Sequence, residues 1–205
     1  MVLQGSRCYP TLRLGGKMSN RIYICSINTD YLDYLRQFDD KVSEDKKQNR
    51  KFVGVLLEIN EKKYYAPLSS PKSKHKSISD KALDIFKIDG GRLGVINLNN
   101  MIPVPDTAVI RLDIENEPDE KYKNLLRNQA KIIHSKHDDI KKKAKRLYGI
   151  VNSGSQPILN SRCCNYKLLE SKILDFETVI KGTADEVAVA IEDINSTTKQ
   201  IVKGE

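Results

Sequence analysis

The chain has 205 residues, of which 39% are hydrophobic and 30% are charged, a composition typical of one globular domain rather than two large ones. No apolar run approaches the roughly 18 residues of a membrane-spanning helix, and residues 1–17 lack the apolar core of a secretory signal. We therefore expect a cytoplasmic protein with no membrane partner, whose four cysteines are reduced and mostly inert rather than a disulfide framework.

The net charge of +8 favours a polyanionic partner over a small metabolite. Two segments carry most of the surplus, since residues 41–76 and residues 119–147 each contain ten basic and four acidic side chains. Residues 177–205 have the opposite sign, with six acidic side chains against three lysines. For the second basic segment an alternative is that its lysines only solvate the end of a helix.

The N-terminal part of the chain predicts a strand followed by a helix. Residues Arg21–Ser26 alternate and include β-branched side chains, as strands do. Asn28 or Thr29 can then cap a helix whose apolar residues recur at helical spacing. Residues 39–50 are polar and charged without apolar periodicity, so they are predicted to form an exposed loop.

The middle of the chain predicts an antiparallel sheet of about five strands. Two apolar runs, Phe52–Ile59 and Lys63–Leu68, are separated by a short polar turn and form a predicted hairpin. Pro67 indicates that the second of these strands is ending or lies at an edge of the sheet. The remaining strands are predicted at Asp84–Ile88, Leu93–Leu98 and Val109–Ile114, with a glycine-containing turn between the first two.

The C-terminal half is predicted to be helical. Pro118 and Asp119 begin a long helical pattern that extends to Leu147, with an apolar face that should pack on the sheet. Residues 149–161 break this pattern, and Asn165 can cap a short helix that follows. A weakly amphipathic helix is predicted over residues 185–203. Strands grouped in the middle with helices at both ends define an α+β fold.

The densest group of reactive side chains follows the predicted strand Lys63–Leu68. Ser69 and Ser70 supply two hydroxyls there, and Lys72 supplies a positive charge. Together with backbone amides of a turn, such groups can surround a phosphate. The alternative is an ordinary surface turn, because serine, proline and lysine are common turn residues.

Other kinds of site are disfavoured by the sequence. His134 and His137 are three residues apart, but no third ligand has the spacing of a zinc site, so we predict no metal site. Asp39 and Asp40 fit polar residues at a helix end better than an acid–base pair. The chain has no P-loop, GxGxxG, GxSxG or HExxH motif, which argues against nucleotide hydrolysis and serine acyl transfer.

Several stretches of the sequence resemble one protein family, the endoribonuclease toxins of type III toxin–antitoxin systems known as the ToxN and AbiQ group. They occur in the family's order and are YLRQFDDKV at residues 34–42, FVGVLLEI at 52–59, YAPLSSPK at 65–72 and LGVINLNNMIPV at 93–104. Tyr122–Gln129 and Cys164–Glu170 also resemble the family's long helix and its C-terminal helix. The resemblance covers a toxin domain over residues 21–176. Residues 1–20 are then an extension, disordered or due to the choice of start site, and residues 177–205 a helical appendage.

The resemblance implies a compact, strongly bent antiparallel β-sheet with flanking helices, similar to the barrel-like MazF toxins. It implies an endoribonuclease that cuts adenine-rich RNA, such as mRNA, without a metal or other cofactor. Such cleavage leaves 2′,3′-cyclic phosphate and 5′-hydroxyl ends. It also implies inhibition by a small structured antitoxin RNA within a protein–RNA hetero-oligomer, and a role in phage defence by abortive infection.

Four residues match the family's active-site positions: Ser69, Ser70 and Lys72, together with Lys51 just before the second strand. Lys72 suits stabilisation of transition-state charge, and the two serines suit hydrogen bonds to the phosphate oxygens. Lys51 either completes this clamp or, with a lowered pKa, handles protons. The identity of the base stays open, and His75 is a candidate for proton transfer or for a simple RNA contact.

The basic segments and an exposed tyrosine are predicted to bind RNA. The residues expected to do so are Lys47, Tyr64, Lys74, His75, Lys76, Lys131, Lys142 and Lys145. The chain departs from the family in two places. Lys47 stands where the family has a tyrosine, which questions any phenol-based role, and Ser69 stands where threonine is frequent.

Two other functions are compatible with the charge pattern. One is a non-catalytic, basic RNA-binding module in which the serines and Lys72 only hold a phosphate. The other is an interaction protein that uses its acidic tail and has no affinity for RNA. Charge alone does not separate the first of these from a nuclease.

Overall fold

Antiparallel β-strands form the centre of the structure, a computed structural model in which residues 22–45 and 50–176 are described. All strand pairs in these residues are antiparallel. The strands are β1 (Tyr23–Ile27), β2 (Phe52–Gly54), β3 (Glu58–Ile59), β4 (Lys62–Ser69), β5 (Ile85–Lys87), β6 (Val95–Asn97), β7 (Ile102–Pro103) and β8 (Val109–Arg111). The predicted α+β fold is confirmed, and the described part of the sheet contains eight strands rather than about five.

Strand β4 occupies the middle of this sheet. The strand order is β5-β6-β4-β2-β1-β8, and the two short strands β3 and β7 also pair with β4. The sheet bends strongly without closing, so β5 and β8 are its two edges. Pro67 therefore does not mark an edge strand. It lies two residues before β4 ends, opposite Phe52 of β2, where a missing N–H removes only one ladder bond.

Helices cover the sheet and enclose the core. They are α1 (Thr29–Arg36), α2 (Ser73–Ser77), α3 (Glu120–Ser135), α4 (His137–Ser153), α5 (Pro157–Asn160) and α6 (residues 166–176). The side chains of Asn28, Asp119 and Asn165 accept hydrogen bonds from the first turns of α1, α3 and α6, which confirms the predicted N-caps Asn28 and Asn165. Each cap satisfies N–H groups that have no partner within the helix.

The prediction of one long helix from Asp119 to Leu147 was wrong. Lys136 leaves the helical conformation, with φ −111° and ψ 16°, and separates α3 from α4. Buried residues then recur in α4 at Ile140, Ala144 and Leu147. The predicted break at residue 149 was also early, because α4 continues to Ser153 and ends at Gly154, whose φ of 67° suits glycine.

A buried polar network joins α6 to the centre of the sheet. Tyr64 of β4 and Tyr148 of α4 each donate a hydrogen bond of 2.6 Å to the same oxygen, Oε1 of Glu170. Burial raises the pKa of Glu170, but the two phenol hydrogen bonds together with the nearby charge of Lys167 lower the pKa overall. The carboxylate therefore stays charged while it anchors the helix.

Several sequence predictions fall on residues that lie outside the described ranges. These are the extension over residues 1–20, Cys8, Lys47 and the helix predicted over residues 185–203. The other three cysteines are free and buried. Burial raises the pKa of the Cys25 thiol to about 12 and that of Cys163 to about 11, which confirms the prediction of inert thiols for this part of the chain. Among the described helices, none is both long and apolar enough to cross a bilayer.

Candidate active site

All four residues predicted to be catalytic line one cleft beside the end of β4. We call it the β4 cleft, and its volume is about 380 Å³. Its walls come from the residue segment before β2, from the end of β4 with the turn into α2, and from one face of α3. The lining residues are Arg50, Lys51, Leu68, Ser69, Ser70, Lys72, Tyr122, Leu125 and Gln129.

The pairing of β2 with β4 brings Lys51 next to the two serines. Phe52 lies opposite Pro67, and the N–H of Leu68 donates a 2.8 Å hydrogen bond to the carbonyl of Lys51. The backbone of Lys51 is thus fixed one residue away from Ser69. Its side-chain amine also donates to Oγ of Ser26 on β1, at 3.3 Å.

The side chain of Ser69 is held by a residue of the neighbouring strand β6. Nδ2 of Asn97 lies 2.7 Å from Oγ of Ser69 and 3.3 Å from the carbonyl oxygen of Pro67. Ser69 itself pairs with Val95. Its hydroxyl therefore has a fixed position at the wall of the cleft, whereas Ser70 is exposed.

A glycine before β6 allows the backbone of β4 to come this close. Gly94 has φ +99°, a conformation that side chains disfavour, and a Cβ atom built there would lie 2.1 Å from the carbonyl oxygen of Ser69. Only glycine fits such a contact without a shift of the backbone. Gly94 is therefore part of what positions Ser69.

Lys72 precedes the short helix α2, and its side chain is exposed at the mouth of the cleft. The amide of His75 donates to the carbonyl of Lys72 and closes this turn. His75 itself turns inward and is only 4% exposed, with its backbone against Gly91.

The prediction that His75 contacts RNA is therefore wrong, and its imidazole is not among the groups that line the cleft. Burial lowers its pKa, and the charges of Lys72 and Lys74 lower it further. The ring is consequently neutral at neutral pH, which leaves no charge to attract a phosphate.

The third wall of the cleft comes from α3. Tyr122, Leu125 and Gln129 are spaced three and four residues apart and so share one helical face. Nε2 of Gln129 donates a 2.7 Å hydrogen bond to the carbonyl of Leu93, next to Gly94. Burial raises the pKa of the Tyr122 phenol, so the phenol stays protonated at neutral pH.

These α3 residues, together with Arg50, were missed as site residues by the sequence reasoning. The sequence does contain a signal, because Tyr122, Leu125 and Gln129 recur at helical spacing within the pattern that begins at Asp119. That face was expected to pack on the sheet, and only the tertiary arrangement reveals that part of it faces the cleft.

Tyr64 was predicted to be an exposed base-stacking residue, and this is wrong. It is fully buried, donates to Glu170 and packs edge-to-face on Tyr148 and Tyr166. The reason is that β4 is central, so residues on both of its faces are covered by other elements. The phenol belongs to the core rather than to an RNA surface.

Five of the lysines predicted to bind RNA are exposed in the structure. Lys74 and Lys76 lie on α2, Lys131 lies on α3, and Lys142 and Lys145 lie on α4. None of the five lines the β4 cleft. Their assignment to RNA binding stays a prediction.

Within the described ranges, no group of three histidine, cysteine or acidic side chains is arranged to hold a metal ion. The rings of His134 and His137 stack on each other at the junction of α3 and α4, with centroids 6.2 Å apart. The groups that line the β4 cleft among the described residues are hydroxyl, amide, cationic and apolar. They are suited to an anion.

Comparison with known proteins identifies the family. A family model described as "Toxin ToxN, type III toxin-antitoxin system" matches residues 23–174. The chain belongs to the ToxN family. The resemblance seen in the sequence is thereby confirmed, and the chain is an endoribonuclease of the type III toxin–antitoxin class.

Individual relatives agree with this assignment. Endoribonuclease ToxN of Pectobacterium atrosepticum is 40% identical over 169 residues, which cover 78% of this chain and 96% of the relative. Endoribonuclease AbiQ of Lactococcus lactis subsp. lactis is 31% identical over 159 residues, covering 72% and 85%. A solved structure that describes selective toxin inhibition by a non-coding RNA pseudoknot has a TM-score of 0.68 and 31% identity, covering 77% and 99%. The ToxN family fold thus extends over most of the described residues.

Proposed function

We propose that this ToxN-family endoribonuclease cuts adenine-rich single-stranded RNA in the β4 cleft, without a metal ion. The observation that carries the proposal is that Lys51, Ser69, Ser70 and Lys72, which come from two separate sequence segments, line the same cleft. Cations, hydroxyls and an amide are groups that bind a phosphodiester directly. The described residues that line the cleft include no carboxylate. The proposed reaction uses none, because the cations and hydroxyls hold the phosphate themselves.

The reaction is an internal transesterification of the RNA. The 2′-hydroxyl gives its proton to a base while its oxygen attacks the adjacent phosphorus in line. The bond from phosphorus to the 5′-oxygen breaks, and the 5′-oxygen takes up a proton. The products carry a 2′,3′-cyclic phosphate and a 5′-hydroxyl. Lys72 neutralises the additional negative charge on the phosphorane, while Ser69 and Ser70 donate to its non-bridging oxygens and Lys51 completes the clamp.

Tyr122 and Leu125 supply a surface for a base in the same cleft. An aromatic ring beside an apolar side chain suits the face of a purine, which stacks well. Adenine-rich substrates are also what the family resemblance implies. Tyr122 enters the cleft from α3, whereas the family's tyrosine in the residue 47 region is replaced here by Lys47.

A small structured RNA is the proposed antitoxin, held with the toxin in a protein–RNA hetero-oligomer. One similar structure describes inhibition of its toxin by a non-coding RNA pseudoknot, and the net charge of +8 suits such a partner. An RNA strand that lies in the β4 cleft excludes substrate by occupying the same phosphate site. Released from the antitoxin during phage infection, the toxin would act in abortive infection.

The test is cleavage of an adenine-rich RNA by the full-length chain in the presence of a chelator. End-group analysis should find cyclic phosphate and 5′-hydroxyl ends, and Lys72→Ala should abolish cleavage. Lys62→Ala, at the far end of β4, is the matched control and should cleave as the wild type does. Binding of RNA without any cleavage would favour the alternative, a non-catalytic RNA-binding module, and cleavage that requires a metal ion would contradict the mechanism.

A further inference from the structure

A second basic cleft lies between α4 and the residues that lead into the edge strand β5. We call it the α4 cleft, and its volume is about 600 Å³. It shares no lining residue with the β4 cleft. Its lining residues are Asp80, Lys81, Leu83, Phe86, Asp139, Lys142, Lys143 and Arg146.

The cations of this cleft exceed its free carboxylates. Asp80 lies 2.9 Å from the amine of Lys87, and Asp139 lies 3.7 Å from that of Lys136, so each carboxylate is paired with a lysine outside the lining. The three exposed cations are Lys81, Lys142 and Arg146, and they form no ion pair within residues 22–45 and 50–176. Unpaired cations around one cleft are a binding surface for a polyanion.

An aromatic ring forms part of the floor. Phe86 of β5 is half-buried, and the amine of Lys143 lies 5.9 Å from its ring centroid. The same amine donates to the carbonyl of Asp80 at 3.4 Å. An apolar ring among cations fits a nucleobase joined to phosphates better than it fits an acidic peptide, which offers no planar face.

Building on the proposed function, we propose that the α4 cleft binds the substrate RNA strand beyond the cleaved bond, through its phosphates and one stacked base. Strand β5 is two strands away from β4 in the sheet order, which is about 10 Å at the usual strand spacing. An RNA strand of several nucleotides is longer than this strand separation. The α4 cleft lengthens the RNA contact without taking part in the chemistry.

The test compares Lys142→Glu/Arg146→Glu with a matched control, Lys62→Glu/Arg111→Glu. Both pairs change the net charge equally, but Lys62 begins β4 at the end away from Ser69, and Arg111 lies on the opposite edge strand β8. Substrates are a 12-nucleotide adenine-rich RNA and an adenine dinucleotide, whose single phosphodiester occupies only the β4 cleft. The α4 pair should raise KM for the long RNA on the order of tenfold relative to the control, with kcat on the short RNA unchanged.

Each outcome is decisive. An equal KM for the two pairs on the long RNA overturns the α4 site while leaving cleavage intact. If the wild type cleaves neither RNA, the proposed function fails. The α4 site is then tested by the affinity of the two variant pairs for the long RNA, and equal affinities overturn it. Competition by a polyglutamate peptide as strong as that by the RNA, at equal charge, overturns the assignment of this site to RNA.

A separate observation concerns the hydrogen atom of the Ser69 hydroxyl. The carbonyl of Pro67 only accepts hydrogen bonds, so the group of Asn97 that faces it must be the NH2 rather than the amide oxygen. The same NH2 lies 2.7 Å from Oγ of Ser69. Ser69 therefore accepts from Asn97, and its own O–H is left to donate elsewhere.

We infer that Asn97 is a positioning residue that turns the Ser69 hydroxyl into a donor toward the scissile phosphate. A hydroxyl with one lone pair already engaged directs its proton away from that partner, and the β4 cleft is the space that Ser69 lines. An aspartate at position 97 would instead accept the proton of Ser69. It would turn the hydroxyl's lone pairs toward the phosphate oxygens, which they repel.

A double-mutant cycle tests this inference on the folded full-length chain. Asn97→Asp should lower kcat to the level of Ser69→Ala, about 10²-fold or more below wild type, with a smaller change in KM. In a Ser69→Ala background, Asn97→Asp should cost little more, because the group that it acts through is gone. An equal loss in kcat with serine and with alanine at position 69 would overturn the positioning role, and Asn97→Ala repeats the cycle should the aspartate variant unfold.

Discussion

The β4 cleft and the α4 cleft contain similar numbers of cations, yet they are built differently. In the β4 cleft, strand pairing fixes the backbone of Lys51, and Ser69 is held by Asn97 on one side and Gly94 on the other. The cations of the α4 cleft are long side chains, three from α4 and Lys81 from the turn before β5. Chemistry at phosphorus requires groups placed to within a fraction of an ångström, whereas phosphate binding requires only charge nearby. The difference teaches which cleft tolerates substitution.

Replacing one glycine by alanine near each cleft should give the largest contrast, because the free energy of unfolding should change with opposite signs. At Gly94, alanine meets the Ser69 carbonyl and a strained φ, so we expect a loss of about 1–3 kcal/mol in the free energy of unfolding and no detectable cleavage. At Gly149 in α4 a Cβ atom meets open space, and alanine should stabilise the helix by roughly 0.5–1 kcal/mol. Thermal unfolding and a cleavage assay measure both. A Gly94→Ala variant as stable and active as wild type would contradict the tight contact.

The two serines of the β4 cleft should differ by the next largest amount. Ser69 is held by Asn97, while Ser70 is exposed and makes no side-chain hydrogen bond in the described part of the chain. Loss of a fixed donor costs about 10²–10³-fold in kcat, whereas a mobile hydroxyl is replaced in part by water. We expect Ser69→Ala to lower kcat at least tenfold more than Ser70→Ala does. Equal losses in single-turnover cleavage would show that fixation does not matter.

The sequence predicted those features of the two regions that depend on residues close together in the chain. The N-caps Asn28 and Asn165 depend on hydrogen bonds within two or three residues, so the sequence identified them. Family motifs identified Ser69, Lys72 and Lys51, and the predicted hairpin brings Lys51 near the end of the strand that precedes Ser69. The structure adds the exact register, in which Phe52 lies opposite Pro67.

The wrong predictions have the same origin. The basic residues around Tyr64 favour an exposed position, but the elements that cover it, α4 and α6, come about 80 to 100 residues later in the chain. The break at Lys136 is a single residue in a continuous helical pattern. The contribution of α3 to the cleft was not predicted for a related reason, because an aromatic residue such as Tyr122 is equally suited to a core position and to the wall of a cleft. Sequence periodicity tells which residues share a face but not what that face meets.

An aromatic residue in each cleft allows a third comparison. Stacking on one base contributes about 1–3 kcal/mol, so Tyr122→Ala should lower kcat/KM on a short RNA by about tenfold or more, and Tyr122→Phe should retain most of the activity. Phe86→Ala should leave the short RNA unaffected and raise KM only for a long RNA. If Tyr122→Phe were as damaging as Tyr122→Ala, the phenol hydroxyl rather than the ring would be the important group.

The smallest effect should appear in the salt dependence of substrate affinity. Each phosphate contact to a single strand contributes about 0.7 to the slope of log K against log salt concentration. Replacing Lys142 and Arg146 by glutamine should therefore reduce that slope by about 1.4 for a long RNA. Ser69→Ala should leave it unchanged, because a neutral hydroxyl displaces no counterion. Fluorescence anisotropy of a labelled long RNA, measured in a Lys72→Ala background to prevent cleavage, gives the slopes. If Ser69→Ala reduced the slope and the glutamine pair did not, the comparison would be wrong, because the α4 cleft would then make no ionic contact with the RNA.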